Sequence, residues 1–235
     1  MSIKKHIPNL ISLCNITSGT LSIYFAFTHS IELAVWLMLL AALFDLLDGW
    51  TARKLFVFSP LGKDIDSLCD VVSFGVAPAM MMAIALHQLG SPVALVAVLI
   101  APSSAYRLAK FNNDVRQTTS FIGLPTPASA IFFAGLAAWI VQEQEMLMVL
   151  PRMIEYKVHG LFVVLILGFS YLMISEVPMF SLKEKGSREH YLRIGVVALL
   201  GVAGAVLWGW LGLSIAIFSY VFLNLLPLLR RSAIR

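Results

Sequence analysis

Apolar stretches long enough to cross a membrane recur along almost the whole chain, and they constrain its fold more than any other feature of the sequence. A helix needs roughly 20 apolar residues to cross about 30 Å of hydrocarbon. Hydrophobic residues make up 59% of the 235 residues and charged residues only 13%, whereas about a quarter of an ordinary soluble domain is charged. The sequence therefore predicts an all-α integral membrane protein, a polytopic bundle of transmembrane helices.

Glycine, proline and polar clusters divide these stretches into eight predicted spans, over residues 9–28, 32–57, 67–88, 92–111, 126–146, 158–176, 191–209 and 211–229. We expect residues 1–8 to form a short amphipathic helix along the membrane interface. The first apolar stretch is long and lacks a small-residue cleavage site, which indicates a retained helix and not a signal peptide. Since no repeat or linker marks a second domain, residues 1–235 are predicted to form one membrane domain.

The 17 basic residues are distributed unevenly between the two sides that eight spans define. When both termini are placed in the cytoplasm, the outer loops contain only Arg152 and Lys157. This asymmetry follows the rule that cytoplasmic loops are rich in Lys and Arg. It also explains the formal net charge of +4 without a nucleic-acid partner. We predict cytoplasmic termini and a functional face on the cytoplasmic side of the cell inner membrane, where basic residues would contact membrane lipids.

Acidic residues recur where the second predicted span ends and the third begins, and four of them have helical spacing: Asp45, Asp48, Asp66 and Asp70. Residues three or four apart lie on one helix face, so the first two form one stripe and Gly62, Asp66 and Asp70 form a second. Ser59-Pro60 is typical of a helix N-cap followed by a first turn. The short connection predicts a helix hairpin over about 32–88, with both acidic stripes facing one cavity.

Acidic side chains inside a membrane are costly and usually mark a functional site. A hairpin held by salt bridges to Arg53, Lys54 and Lys63 is the alternative interpretation. Carboxylates on two facing helices offer the hard oxygen ligands that Mg²⁺, Mn²⁺ or Ca²⁺ prefer, and we expect two ions. Divalent ions beside a membrane indicate a phosphate substrate. Gly49 and Gly62 would let such a substrate approach the backbone, and Arg53 would pair with a phosphate.

This stretch resembles the complete signature of the CDP-alcohol phosphotransferase family. The pattern is D-x-x-D-G-x-x-A-R, eight residues, then G-x-x-x-D-x-x-x-D, and its positions are filled by Asp45, Asp48, Gly49, Ala52, Arg53, Gly62, Asp66 and Asp70. The resemblance implies an enzyme that cleaves the pyrophosphate of a CDP-linked lipid. Such an enzyme transfers the phosphatidyl group to an alcohol and releases CMP.

The resemblance also implies a role for each signature residue. The four aspartates would bind the metal ions, and Asp70 would in addition be the general base for the acceptor hydroxyl. Gly49, Ala52, Arg53 and Gly62 would contact the CDP-lipid. The family further implies a homodimer. The chain offers no better base than Asp70 beside the metals. Because the metal ions would neutralise the phosphate of the CMP leaving group, we expect direct in-line transfer without a covalent enzyme intermediate.

A second informative region starts at the cytoplasmic end of the fourth predicted span, where Arg107 and Lys110 share a helix face. Two interpretations are open for these cations. They either anchor the helix at the cytoplasmic membrane face or form a subsite that binds an anion. The segments SFGVAPA (73–79), RLAKFN (107–112) and FIGLPTPA (121–128) resemble the membrane-embedded phosphatidylserine synthases within the family. That resemblance implies CDP-diacylglycerol as donor and L-serine as acceptor, with Arg107 on the serine carboxylate. Lys110 and Asn112 are candidates for the same pocket.

Other functions remain open from the sequence alone. Within the family, glycerol 3-phosphate, inositol phosphate or choline could replace serine, although a phosphorylated acceptor would favour a denser basic pocket. A cation transporter would place its acidic residues near the bilayer midplane, in discontinuous helices of two matched halves, whereas these aspartates lie towards the cytoplasmic ends of their spans. A non-catalytic membrane scaffold would tolerate the loss of the aspartates.

Overall fold

The computed structural model describes residues 6–57, 59–114, 121–179 and 188–232, and these residues are almost entirely helical. The helices are α1 Ile7–Phe27, α2 Ile31–Leu55, α3 Pro60–Asp70, α4 Ala77–Gln88, α5 Ile100–Asn113, α6 Thr126–Gln142, α7 Gln144–Met148, α8 Arg152–Ile174, α9 Arg188–Trp208 and α10 Leu211–Ser232. The described residues also form a 3₁₀-helix, Ala94–Leu99, and two short antiparallel strands, β1 Phe121–Ile122 and β2 Pro178–Met179. The predicted all-α class is confirmed.

Five helical stretches of the described residues are long and apolar enough to cross a membrane: Ile7–Phe27, Pro60–Gln88, Ala94–Asn113, Met153–Ile174 and Tyr191–Trp208. They match the first, third, fourth, sixth and seventh predicted spans. The remaining predicted spans, 32–57, 126–146 and 211–229, correspond to α2, α6 and α10, which are not among the five. The predicted count of eight spans therefore stays a prediction.

The N-terminal helix α1 includes part of the segment that was predicted to lie along the interface. Residues 1–5 of that segment lie outside the described residues, whereas Ile7 and Pro8 form the first turn of α1. Proline suits this position because the first N–H groups of a helix have no intrahelical acceptor. Helix α1 then packs along α2 and against α3, so it joins the two halves of the predicted hairpin.

Helix α3 begins with the cap that the sequence predicted. The Oγ atom of Ser59 accepts a hydrogen bond of 3.0 Å from the backbone N–H of Gly62, and Pro60 occupies the first helical turn. Helix α2 ends at Leu55, and Phe56 after it has a φ of 52°, which places it in the left-handed region. The short connection thus turns the chain from α2 directly into α3.

Helices α3 and α4 are joined without a break by a π-helical segment, Val71–Val76. The wider turn begins directly after Asp70, and it buries Ser73, Phe74 and Gly75. Helix α5 packs against this segment. A Cβ added at Gly75 would lie 3.1 Å from the Oγ atom of Ser104 on α5, so the glycine permits the close approach. π-Helical turns occur frequently at functional sites.

The core of the bundle is centred on α6, which packs against α4 and α10. Phe132 of α6 stacks on Phe169 of α8 with 4.0 Å between the ring centroids. Helix α9 packs against α10, and only 6% of its apolar stretch, Tyr191–Trp208, is buried within the chain. An exposed apolar helix of this kind suits contact with lipid.

The segment before α6 is docked onto the C-terminal end of α8. The backbone N–H of Gly123 donates to the carbonyl of Val177 at 2.8 Å, and that of Leu124 donates to the carbonyl of Leu172 at 3.0 Å. Gly123 has a φ of +78°, and a Cβ there would lie 2.9 Å from the carbonyl oxygens of Met173 and Ser175. Glycine is therefore required by both the backbone conformation and the packing.

Replacing Gly123 with alanine is predicted to destabilise the fold. A left-handed residue with a side chain costs about 1–2 kcal/mol, and overpacking against two carbonyl groups adds about 1–3 kcal/mol. Thermal unfolding in detergent should show a lower Tm. Gly90→Ala is the matched control, because Gly90 has a φ of +71° but no described atom within 4 Å of an added Cβ. Equal losses of Tm in the two variants would contradict the close packing of Gly123.

Candidate active site

Three of the four signature aspartates meet where the last turns of α2 face α3. Asp45 and Asp48 come from α2 and Asp66 from α3, and one carboxylate oxygen of each lies within 4.8 Å of the others. Asp48 is only 5% exposed. Two ionised carboxylates at such a separation repel by about 3–4 kcal/mol at an effective dielectric constant of about 20. The fold thus holds three groups together that would otherwise separate, which indicates a cationic ligand.

The donor set fits a divalent cation. All three groups offer carboxylate oxygens, the ligands that Mg²⁺, Mn²⁺ and Ca²⁺ prefer. The Oδ1 atom of Asp66 is buried and has no hydrogen-bond partner among the described residues. A buried polar atom without a partner is costly, and a metal ion would supply the missing partner. These three residues could therefore hold a metal ion.

Asp70 lies one helical turn beyond Asp66 and is not part of the three-oxygen cluster. Its side chain is 8% exposed. The Oδ1 atom of Asp70 accepts a hydrogen bond of 3.1 Å from the Nδ2 atom of Asn15. Asp70 therefore has a different environment from Asp45, Asp48 and Asp66, whose carboxylate oxygens form the cluster.

Helix α1 contributes site residues that the sequence reasoning missed. In addition to the contact of Asn15 with Asp70, the hydroxyl of Ser12 donates a short hydrogen bond of 2.6 Å to the Oδ2 atom of Asp48. Ser12, Asn15, Gly19 and Ser22 recur every three or four residues, and all are buried. This polar and small-residue stripe in an otherwise apolar helix was the signal that could have identified the buried face of α1.

A cavity of about 540 Å³ opens beside the aspartates. Its lining includes three of the four residues predicted to contact CDP-lipid, namely Gly49, Ala52 and Gly62, together with Asp48 and Asp66. A Cβ at Gly62 would lie 3.0 Å from the Oδ1 atom of Asn9. The absence of a side chain at Gly62 therefore leaves room for the Asn9 side chain, which also lines the cavity.

Arg53, the fourth predicted CDP-lipid residue, is exposed and does not line this cavity. Its guanidinium lies beside Gly49, since a Cβ there would be 3.5 Å from the Nη1 atom of Arg53. The arginine is thus next to a lining residue of the cavity. Lys63 also lines the cavity, and its ammonium group donates to the backbone carbonyl of Asn112 at 2.8 Å.

The predicted acceptor residues occupy different environments on α5. Arg107 is 6% exposed, its Nε atom donates to the carbonyl of Leu124 at 2.6 Å, and it interacts electrostatically with Asp70. Lys110 instead reaches the C-terminal end of α8, where it donates to the carbonyl of Ile174 at 3.2 Å and pairs with Glu176 at 3.5 Å. Of these two cations, Arg107 is the one on the Asp70 side.

Asn112, the third predicted acceptor residue, links α5 to α3. Its Nδ2 atom donates to the Oγ atom of Ser67 at 2.7 Å. Together with the bond from Lys63 to its backbone carbonyl, this contact ties the end of α5 to the helix that carries Asp66 and Asp70. Asn112 therefore supports the position of α5 beside the aspartates.

Comparison with known proteins identifies the family. A model of the CDP-alcohol phosphatidyltransferase family matches residues 5–165, which include all four aspartates and the cavity. The chain belongs to this family. The resemblance that was based on the aspartate signature is confirmed. CDP-alcohol phosphatidyltransferases generally use divalent metals, in agreement with the oxygen ligands at Asp45, Asp48 and Asp66.

Three relatives cover different shares of the chain. An archaetidylserine synthase of Methanothermobacter thermautotrophicus is 43% identical over 127 residues, which is 53% of this chain and 54% of that protein. A CDP-diacylglycerol–serine O-phosphatidyltransferase of Mycobacterium leprae is 33% identical over 225 residues, 92% of this chain and 72% of the relative. Its counterpart in Bacillus subtilis is 36% identical over 137 residues, 58% of this chain and 75% of the relative. The archaeal match thus spans about half of each protein.

Replacing Asp66 with asparagine is predicted to weaken the binding of a divalent ion. The substitution keeps the size of the side chain but removes one negative charge from the three-carboxylate cluster, so the affinity for Mn²⁺ should fall by about tenfold or more. Electron paramagnetic resonance of free Mn²⁺ titrated with purified protein measures this change. Asp64→Asn is the matched control, because Asp64 lies on the same helix but is exposed and outside the cluster. Similar losses in both variants would contradict a metal site at Asp66.

Proposed function

We propose that the protein transfers the phosphatidyl group of CDP-diacylglycerol to L-serine, producing phosphatidylserine and CMP. The observation that carries this proposal is the cluster of Asp45, Asp48 and Asp66 beside a cavity with glycine walls. The family match supports the reaction class. The names of the archaeal, mycobacterial and Bacillus relatives include serine, which favours serine over the other acceptors.

In the proposed reaction, the cavity beside Gly49, Ala52 and Gly62 binds the CDP part of the lipid, with Arg53 next to it. Asp45, Asp48, Asp66 and Asp70 would hold two divalent ions, and these ions would neutralise the charge of the pyrophosphate. The serine hydroxyl attacks the phosphorus that bears the diacylglycerol, and the bond from that phosphorus to CMP breaks. In-line displacement of this kind depends mainly on positioning and electrostatic stabilisation.

Asp70 is proposed as the general base that accepts the proton of the serine hydroxyl. It lies outside the three-oxygen cluster, so one of its oxygens is suited to a proton instead of shared metal coordination. In the described part of the chain, no histidine lines the cavity. A carboxylate next to the reacting hydroxyl satisfies the geometric requirement for a general base.

Arg107 is proposed to bind the carboxylate of serine. Its Nε atom is held by the carbonyl of Leu124, and the two terminal nitrogens form the fork that suits a carboxylate. The electrostatic interaction with Asp70 supports placing the serine carboxylate and hydroxyl between these residues. Lys110 and Asn112 then act mainly by holding α5 in position, through Ile174, Glu176 and Ser67.

Release of labelled CMP from CDP-diacylglycerol by the purified protein tests the proposed function. We expect release that depends on serine and on Mg²⁺ or Mn²⁺, with much less release when glycerol 3-phosphate, inositol phosphate or choline replaces serine. Release with one of these alcohols and not with serine would correct the acceptor and keep the reaction class. No release with any acceptor would reject the enzyme in favour of a transporter or a scaffold.

The Arg107→Lys variant is predicted to use serine poorly. Lysine keeps the charge but cannot bond to Leu124 and present a two-nitrogen fork together. The KM for serine should rise by about tenfold or more, while the KM for CDP-diacylglycerol stays within about twofold. Lys110→Arg is the control, since it keeps a cation near Glu176. An unchanged KM for serine in Arg107→Lys would contradict the acceptor role.

The proposed topology has eight spans, both termini in the cytoplasm and the active site on the cytoplasmic face of the inner membrane. Five described helices are long enough to span, and α2, α6 and α10 would supply the other three. A C-terminal reporter that works only in the cytoplasm should be active, and activity of a periplasmic reporter would contradict this topology.

The homodimer implied by the family is checked by the particle mass in detergent, where a monomeric mass would oppose it.

A further inference from the structure

Asn15 lies in the middle of α1 and is fully buried, with 0% of its surface exposed. Its Nδ2 atom donates to the Oδ1 atom of Asp70 at 3.1 Å, and the two residues are 55 positions apart in the chain. An ionised carboxylate only accepts hydrogen bonds, so the nitrogen of the amide must be the atom that faces it. The contact therefore fixes the orientation of both side chains.

Packing alone does not explain an asparagine at this position. The Oδ1 atom of Asn15 is buried and has no hydrogen-bond partner among the described residues. A half-satisfied amide in a membrane protein is costly, whereas leucine has a similar size and would avoid that cost. The polar side chain is therefore better explained by its contact with Asp70 than by the stability of the bundle.

Contacts that do not involve the Asn15 side chain hold α1 in its position in the bundle. The hydroxyl of Ser73 donates to the backbone carbonyl of Asn15 at 3.2 Å. Gly19, one turn further on, leaves the space that Ser73 occupies, since a Cβ at Gly19 would overlap the Ser73 side chain. The hydroxyl of Ser22 donates to the carbonyl of Ala34 at 2.7 Å. A change of the Asn15 side chain thus leaves the backbone contacts of α1 in place.

We propose that Asn15 is a positioning residue for Asp70, an inference that rests on the proposed transfer reaction. The carboxylate torsion of an aspartate is broad and roughly two-fold, and the backbone after Asp70 leaves the regular α-helix at Val71. The amide of Asn15 holds Oδ1 and so sets the plane of the carboxylate. The second oxygen, Oδ2, is thereby oriented towards the serine hydroxyl, between the aspartate cluster and Arg107.

The test compares the steady-state kinetics of Asn15→Leu and Asn15→Ala with those of the unchanged protein. Loss of a hydrogen bond to a charged group corresponds to a factor of about 10 to 100, so kcat should fall by about 10- to 100-fold. The KM for CDP-diacylglycerol should stay within about twofold, because the cavity lining is unchanged. Ser22→Ala is the matched control: it removes a buried hydrogen bond from the same face of α1 away from Asp70, and its kcat should be close to normal.

Asp70→Asn provides the reference for the proposed base. This variant should bind CDP-diacylglycerol but lose transfer, and normal turnover would remove Asp70 from the role of base. If Asn15 acts through Asp70, adding Asn15→Leu to Asp70→Asn should lower the residual rate no further. A further 10- to 100-fold loss in the double variant would show that Asn15 acts independently and would overturn the inference.

The outcomes also separate this inference from the proposed function. Failure of the unchanged protein to release CMP with serine would reject the function itself. Normal kcat in Asn15→Leu and Asn15→Ala, with an active unchanged protein, would reject only the positioning role. A raised KM for CDP-diacylglycerol with unchanged kcat would likewise reject it. If leucine lowers the Tm by more than Ser22→Ala does, the kinetics of Asn15→Ala decide the question.

Discussion

Three carboxylates from two helices converge where the last turns of α2 face α3, and the surrounding structure is organised to keep them there. Their mutual repulsion has to be opposed by the fold, since the oxygens of Asp45, Asp48 and Asp66 lie within 4.8 Å of one another. The cap at Ser59 fixes where α3 begins. Helix α1 packs against both halves and donates hydrogen bonds to the carboxylates of Asp48 and Asp70. A divalent cation bound here would complete this balance, because it would replace repulsion between the carboxylates with shared coordination.

A second set of contacts places the acceptor side of the site relative to the first. The segment at Gly123 and Leu124 is anchored to the end of α8, and the Leu124 carbonyl in turn holds Arg107. Arg107 and the aspartate cluster therefore approach Asp70 from different elements of the bundle. In the proposed reaction, this arrangement separates the nucleotide cavity from the serine carboxylate, and it leaves Asp70 between the two substrates.

Local rules predicted the parts of the site that depend on neighbouring residues. Helical spacing placed Asp45, Asp48 and Asp66 near one another, as the structure has them, whereas Asp70 lies outside their cluster. The Ser59-Pro60 pair correctly located the start of α3, although the third span was predicted to begin at 67. The role of α1 depends on contacts over long distances in the chain, such as Asn15 with Asp70, which spacing cannot predict. Apolar periodicity gives little help in a membrane, because residues that face lipid and residues that face the core are both apolar. The π-helical turn after Asp70, which packs against α5, likewise has no counterpart in the spacing of the sequence.

The proposal of a metal site at the aspartate cluster is tested most directly by anomalous diffraction from crystals of the protein with Mn²⁺ and CDP-diacylglycerol. It predicts manganese peaks within about 2.5 Å of carboxylate oxygens of Asp45, Asp48 and Asp66, with the pyrophosphate beside Gly49 and Gly62. Well-ordered CDP-diacylglycerol with no manganese at these carboxylates, or with manganese bound elsewhere, would contradict the claim that the aspartates bind metal ions beside the CDP-lipid.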